Sequence, residues 1–218
     1  MSRSNWIGLI VTITSVLAGE GRADLSYQYG FTGISPESSA ADIAVGEAQL
    51  TVEVREGPTS GSALFTFRNI GDGACSITDI YFEDSVLSAV DGGLLKSSGV
   101  DFKVNKKPGN LPAGNALDPD FDEWVSLSSK SPNVPKNGVN QDDEWLTAKF
   151  KLDAGETFSD VIDAIVSGDL RIGLHVQAFA DGGSASFVNI PHAPLPGAVI
   201  LGGLGLGVAA HRLRRRKA

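Results

Sequence analysis

The middle of this chain alternates apolar and polar side chains with period two, and that pattern restricts the fold more than any other feature. Leu25, Tyr27, Tyr29 and Phe31 alternate with polar or small residues. So do Leu50, Val52 and Val54, then Ala63, Phe65 and Phe67, then Leu146, Ala148, Phe150 and Leu152. A last run holds Leu170, Ile172, Leu174, Val176 and Ala178. Successive side chains of a strand point to opposite faces, so each run is a strand with one apolar face. Such strands bury one side only, which selects antiparallel sheets packed in pairs. Cys75, Ile77, Ile80 and Phe82 continue the pattern, but Ile77 and Ile80 are three apart, so an irregularity falls between them. Gly- and Asp-rich triplets at 71–73, 91–93 and 181–183 supply the turns. The expected fold class is all-β, an antiparallel β-sandwich of jelly-roll type.

One segment breaks the period. Phe158, Val161, Ile162, Ile165 and Val166 recur at helical spacing, with Thr157 or Ser159 as N-cap and Gly168 as a stop. One short helix covering an end or edge of the sandwich is expected there. The stretch 106–143 is rich in Pro, Asn, Ser and Asp and reads as long loops around one short strand near 124–127.

The two ends of the chain follow other rules. Arg3 precedes an uncharged apolar stretch at 6–18, and small residues follow at Val16-x-Ala18 and Gly21-x-Ala23. This is the layout of a signal peptide, with cleavage expected after Ala23. At the other end, Pro194, Leu195, Pro196 and Gly197 lead into an apolar stretch at 197–210. A basic tail follows at 211–218, with Arg212, Arg214, Arg215, Arg216 and Lys217. As a helix, some 14 residues reach about 21 Å, short of a bilayer core of about 30 Å. Gly202, Gly203, Gly205 and Gly207 weaken it further. Such a marginal span suits a stop that is recognised and processed, with the Arg cluster left on the cytoplasmic side.

The run Ala193-Pro194-Leu195-Pro196-Gly197-Ala198, the Gly/Leu-rich stretch and Arg-Leu-Arg-Arg-Arg together resemble the PEP-CTERM sorting signal in its VPLPA-like variant. The motif reads Pro-Leu-Pro-Gly where the family has Pro-Glu-Pro or Val-Pro-Leu-Pro-Ala. The resemblance implies export in a Gram-negative bacterium and processing by signal peptidase and an exosortase-like enzyme. It also implies an inner-membrane intermediate held by the C-terminal helix, then the cell surface or an extracellular, exopolysaccharide-associated matrix. Residues 76–82, 99–102 and 170–177 are similar to segments of a recurrent ectodomain in that family, which bears on architecture and location. The expected organisation is therefore a signal peptide at 1–23, an exported domain at 24–190 and a sorting segment at 191–218.

Charge narrows the function of the domain. The whole chain carries −8, but residues 24–193 hold 25 acidic against 11 basic residues, a net of −14. So acidic a domain repels nucleic acid, whose binding needs Lys and Arg to displace phosphate counterions. Cys75 stands alone, so no internal disulfide is available, and it reads as a small buried residue at a strand start. His175 is the one histidine within the strands, and it shares an outward side with Arg171, Gly173 and Gln177. One His and one distant Cys make no zinc site, and no catalytic residues are assigned.

Calcium is the one metal to weigh. Asp118, Asp120 and Asp122 follow the Asp-x-Asp-x-Asp opening of a calcium loop, although Glu123 stands at the sixth position and Ser129 at the twelfth. Asp142, Asp143 and Glu144 form a second acidic knot. Trp124 and Trp145 flank these knots and, with Tyr27, Tyr29 and Tyr81, are the aromatics available for sugar stacking. Two readings of function follow. The first is an exported, non-enzymatic surface or matrix protein without cofactor. The alternative is a carbohydrate-binding module, with or without calcium, that takes polysaccharide at Trp124 and Trp145.

Overall fold

Residues 26–83 and 85–189 are described by a computed structural model. The expected signal peptide at 1–23 and sorting segment at 191–218, with their two helices, lie outside the described residues. The strands are β1 (Ser26–Gly33), β2 (Leu50–Glu56), β3 (Ser62–Asn69), β4 (Ser76–Glu83), β5 (Leu87–Val90) and β6 (Leu95–Lys96). They continue as β7 (Phe102–Asn105), β8 (Glu123–Ser129), β9 (Trp145–Leu152), β10 (Ile172–Gln177) and β11 (Ser184–Asn189). The α-helices are α1 (Ala40–Gln49) and α2 (Phe158–Ser167), and one 3₁₀ turn lies at Gly114–Ala116. All strand pairs are antiparallel, in the order β5-β9-β3-β2-β1-β11-β10-β4-β8-β7, with β6 also on β9.

This continuous ribbon doubles over at β1. Ser26 to Gly30 pair with β2, whereas Phe31 to Gly33 pair with β11, so one strand passes from the first sheet into the second. The first strand thus lies against the last, as in a jelly roll. The apolar faces of the two sheets meet around Phe82 of β4. Its ring lies 5.4 Å from Phe65, 6.0 Å from Phe67 and 4.7 Å from Phe150, which come from β3 and β9 of the opposite sheet. All four side chains are fully buried. The all-β sandwich is therefore the observed fold.

The irregularity between Ile77 and Ile80 is a bulge. His175 faces Asp79 and Val176 faces Ile77, which leaves Thr78 as the extra residue of β4. The added residue lets Ile77 and Ile80 both point inward despite their odd spacing. The Thr78 hydroxyl lies 3.1 Å from the His175 carbonyl oxygen and from an Asp79 carboxylate oxygen.

The expected helix is α2. Thr157 caps it, in a capping box with Asp160, and Gly168 closes it in the left-handed region at φ 86°. Val161, Ile162, Ala164 and Ile165 are its buried face. The second helix, α1, was not in the periodic pattern, because its buried residues are Asp42, Gly46 and Gln49 instead of an apolar stripe. It docks through close approach: a Cβ on Gly46 would stand 2.2 Å from Phe187 Cζ. Ser39 caps it by accepting from the Asp42 N–H at 3.1 Å. Among the described residues no helix is long and apolar enough to cross a membrane.

Candidate functional site

The stretch 106–122 runs across the outer face of the second sheet and is pinned there by a small apolar cluster. Leu111 and Phe121 pack on Tyr81 and Val188, with Ile34 and Leu117 beside them. Room for Leu111 exists because Gly173 has no side chain; a Cβ there would fall 2.6 Å from Leu111 Cδ2. The Leu111 N–H donates to Glu123 Oε1, which fixes the start of the crossing.

Beside this cluster lies an open depression of about 950 Å³, lined by Glu83, residues 118–122, residues 167–169 and Arg171. Arg171 is its centre. Glu83 N–H donates to the Arg171 carbonyl at 3.2 Å, so the two residues are neighbours across β4 and β10. The Arg171 guanidinium donates from Nε to Glu83 Oε2 at 2.5 Å and from Nη2 to Glu83 Oε1 at 2.6 Å. Its other bonds go to the loop: Nη1 to the Pro119 carbonyl and Nη2 to the Asp120 carbonyl, both at 2.8 Å. Glu83 Oε1 accepts once more, from the Asp122 N–H at 2.8 Å. The guanidinium carbon lies 5.4 Å from the centre of the Phe121 ring. A planar fork of donors suits this arrangement, since it holds a carboxylate with two bonds and reaches two carbonyls at once.

The three candidate calcium ligands lie on this loop. Asp118, Asp120 and Asp122 are all exposed. Among the described residues no group of three or more His, Cys, Asp or Glu side chains is gathered to hold a metal ion. The loop carbonyls of Pro119 and Asp120, the kind of ligand calcium takes, are turned onto Arg171 instead. In the second acidic knot, Asp142 accepts from the Gly71 N–H at 2.9 Å and the buried Glu144 accepts from the Asn140 N–H at 2.8 Å.

The candidate sugar-stacking aromatics do not form one platform. Trp124 is the unpaired residue of a bulge in β8, since Phe82 faces Val125 and Glu83 faces Glu123. Its ring leans on Phe150 of the core at 6.3 Å between centroids. Trp145 begins β9 on the other sheet, half-buried, with its N–H donating to Ser97 Oγ at 2.9 Å. Tyr29 and Tyr81 are buried, which raises both phenol pKa values, and Tyr27 stands against Phe158 of α2.

His175 sits in a cross-strand row with Asp79 on one side and Ser186 on the other. Its Nδ1 lies 3.4 Å from Ser186 Oγ. Burial holds the imidazole below its ordinary pKa, and the Asp79 carboxylate opposes this more weakly. Three residue types of a hydrolytic triad thus meet, but Ser186 is fully buried and presents no hydroxyl to a substrate. Cys75 is buried with Gln49 Nε2 3.0 Å from its sulfur, and burial pushes its thiol pKa up, the opposite of an activated thiolate. Gln49 Nε2 also donates to Asn69 Oδ1 at 2.6 Å and to the Gly73 carbonyl at 2.8 Å, so this group ties the turn after β3 to α1.

The described residues form an all-β sandwich with a crossing loop held by a largely buried ion pair. No protein-family model, curated protein or solved structure matches the chain.

Proposed function

We propose that this chain is an exported, non-enzymatic protein of the cell surface or extracellular matrix, delivered through its C-terminal sorting segment. The observation that carries this reading is the pair of linear signals, with the motif at 194–197 and the basic tail at 211–218 opposite an N-terminal signal at 1–23. The described residues contribute a second argument. Arg171 is engaged by Glu83 and the loop carbonyls, Cys75 lies against Gln49, and His175 stands beside a buried serine. A sandwich with its apolar residues between two sheets and an acidic exterior needs only stability and solubility to serve in display.

The test is the intact mass of the protein recovered from its own host, fraction by fraction. Loss of residues 1–23 together with everything after about Pro196, in protein found at the surface or in the matrix, is the expected result. Retention of the Arg-rich tail in inner-membrane material would overturn sorting and make this a tail-anchored periplasmic domain.

A further inference from the structure

The positive charge of this acidic domain is concentrated along one open strand edge. Strand β7 is the last strand of the second sheet and pairs only with β8. Phe102 and Val104 turn toward the core, which leaves Lys103 and Asn105 on the outer face opposite Ser128 and Ser126. Lys103, Lys106 and Lys107 are exposed, and none has an ion-pair partner among the described residues. At the other end of the strand, Lys96 and Lys130 converge on the single carboxylate of Asp101, the Lys130 Nζ at 3.0 Å. From Asp101 to Lys106 the chain advances about 17 Å at 3.3 Å per residue. Five lysines are therefore strung along this edge against one aspartate. The rest of residues 24–193 holds 24 acidic and 6 basic residues.

Lysines on an edge strand discourage pairing with another sheet. That role needs one or two of them, not a file of five with three lacking counter-ions. We propose that the β7 edge is a docking strip for a carboxylated polysaccharide, lying along the strand with its acid groups on Lys103, Lys106 and Lys107. The choice of a polysaccharide rests on the exported-matrix reading; the strip itself does not. Charge complementarity also separates this partner from nucleic acid. Duplex DNA is stiff and carries a charge about every 1.7 Å, so its length beyond the strip would be driven against the acidic remainder. Single strands hold to such surfaces through stacked aromatics, and Lys103, Asn105, Lys106 and Lys107 offer none. A flexible chain of lower charge density follows a strip of this length without that penalty.

The experiment measures binding of the full-length chain with its basic tail neutralised (R212Q/R214Q/R215Q/R216Q/K217Q) to polygalacturonate at about 50 mM salt, with neutral dextran and a single-stranded oligonucleotide alongside. Polygalacturonate binds, dextran does not, and affinity falls steeply as salt rises. At about fivefold per surface lysine, the triple variant K103E/K106E/K107E loses on the order of 100-fold. The variant K149Q/K151Q, which removes the two cations that face Asp91 on the other sheet, binds as the parent does. Circular dichroism and melting of each variant separate lost binding from lost fold. Absence of polygalacturonate binding, equal binding by the triple variant, or tighter lysine-dependent binding of the oligonucleotide would each overturn the proposal. The mass measurement on sorting is independent of all three, so either idea can fail alone.

Discussion

Removing the Arg171 side chain tests whether the depression is a structural lock. Arg171→Ala leaves Glu83 with its carboxylate 7% exposed as a residue and only the Asp122 N–H to hold it. Breaking a buried pair from one side costs about 3–5 kcal/mol, because a charge is left in poor solvent. The low end applies, since the two side chains are 14% and 10% exposed. Loss of the contact with Phe121 adds about 0.5 kcal/mol. The Pro119 and Asp120 carbonyls belong to exposed residues and recover water at little cost. The sum is about 3–4 kcal/mol, or roughly 10 °C in Tm for a domain of this length. Urea unfolding followed by tryptophan fluorescence reads it. A double variant, Glu83→Gln with Arg171→Met, should recover more than half of the loss, because no unpaired charge remains. Hydrogen exchange should show 111–122 losing protection first in Arg171→Ala, with the Phe82 core unchanged. A loss under 1 kcal/mol, or a double variant no better than the single one, would refute the lock.

Three further outcomes follow from the same contacts. Burial holds the His175 imidazole below its ordinary value near 6.5, so the unfolded chain takes up a proton first as pH falls. Stability is therefore level above about pH 7 and declines as pH drops below 6.5, until the folded imidazole titrates too; His175→Gln should flatten that limb. The carboxyls of Asp91, Asp101 and Asp160 are lowered by their hydrogen bonds to Lys149, Lys96 and Thr157, so their contributions are lost only well below that window. A flat wild-type urea midpoint between pH 7 and 5.5 would contradict the assignment. Cys75 should react with a thiol reagent at least a hundredfold more slowly in the native protein than in urea, and comparable rates would mean that its cover opens freely. Millimolar calcium or a chelator should leave Tm within 1 °C or so, since Asp118, Asp120 and Asp122 do not gather into a metal cluster; a rise of several degrees would restore the calcium loop.

Strands β1 to β4 and β8 to β10 were legible where one face is buried, because that geometry writes itself into every second residue; β5, β6 and β7 are too short to show a period, and β11 is buried on both faces from Ala185 to Asn189. Even the Thr78 bulge left a trace, as the three-residue step between Ile77 and Ile80. The helix α2 was legible for the same reason at a different period, with Thr157 and Gly168 marking its ends. The helix α1 was not, because it buries Asp42, Gly46 and Gln49 and packs by the absence of a side chain. Hydrophobic pattern records what a segment buries; it is silent where a segment docks through a glycine.

The lock at Arg171 and the lysine edge show a second limit of pattern. Arg171 and Glu83 are 88 residues apart, and each alone reads as one more charge on an outer face. Only the pairing of β4 with β10 makes them neighbours, and only the crossing loop supplies the carbonyls that complete the fork. The lysines are spread between 96 and 130 and acquire a direction only when β7 is known to be the last strand of its sheet. The same three-dimensional ordering decided what became of the Asp118-x-Asp120-x-Asp122 motif. Its spacing suits a cation, but the cation that its backbone meets is the guanidinium of Arg171, fixed by Glu83 at the end of the neighbouring strand. A fixed internal cation costs the loop no ligand-binding equilibrium and leaves the three carboxylates in solvent.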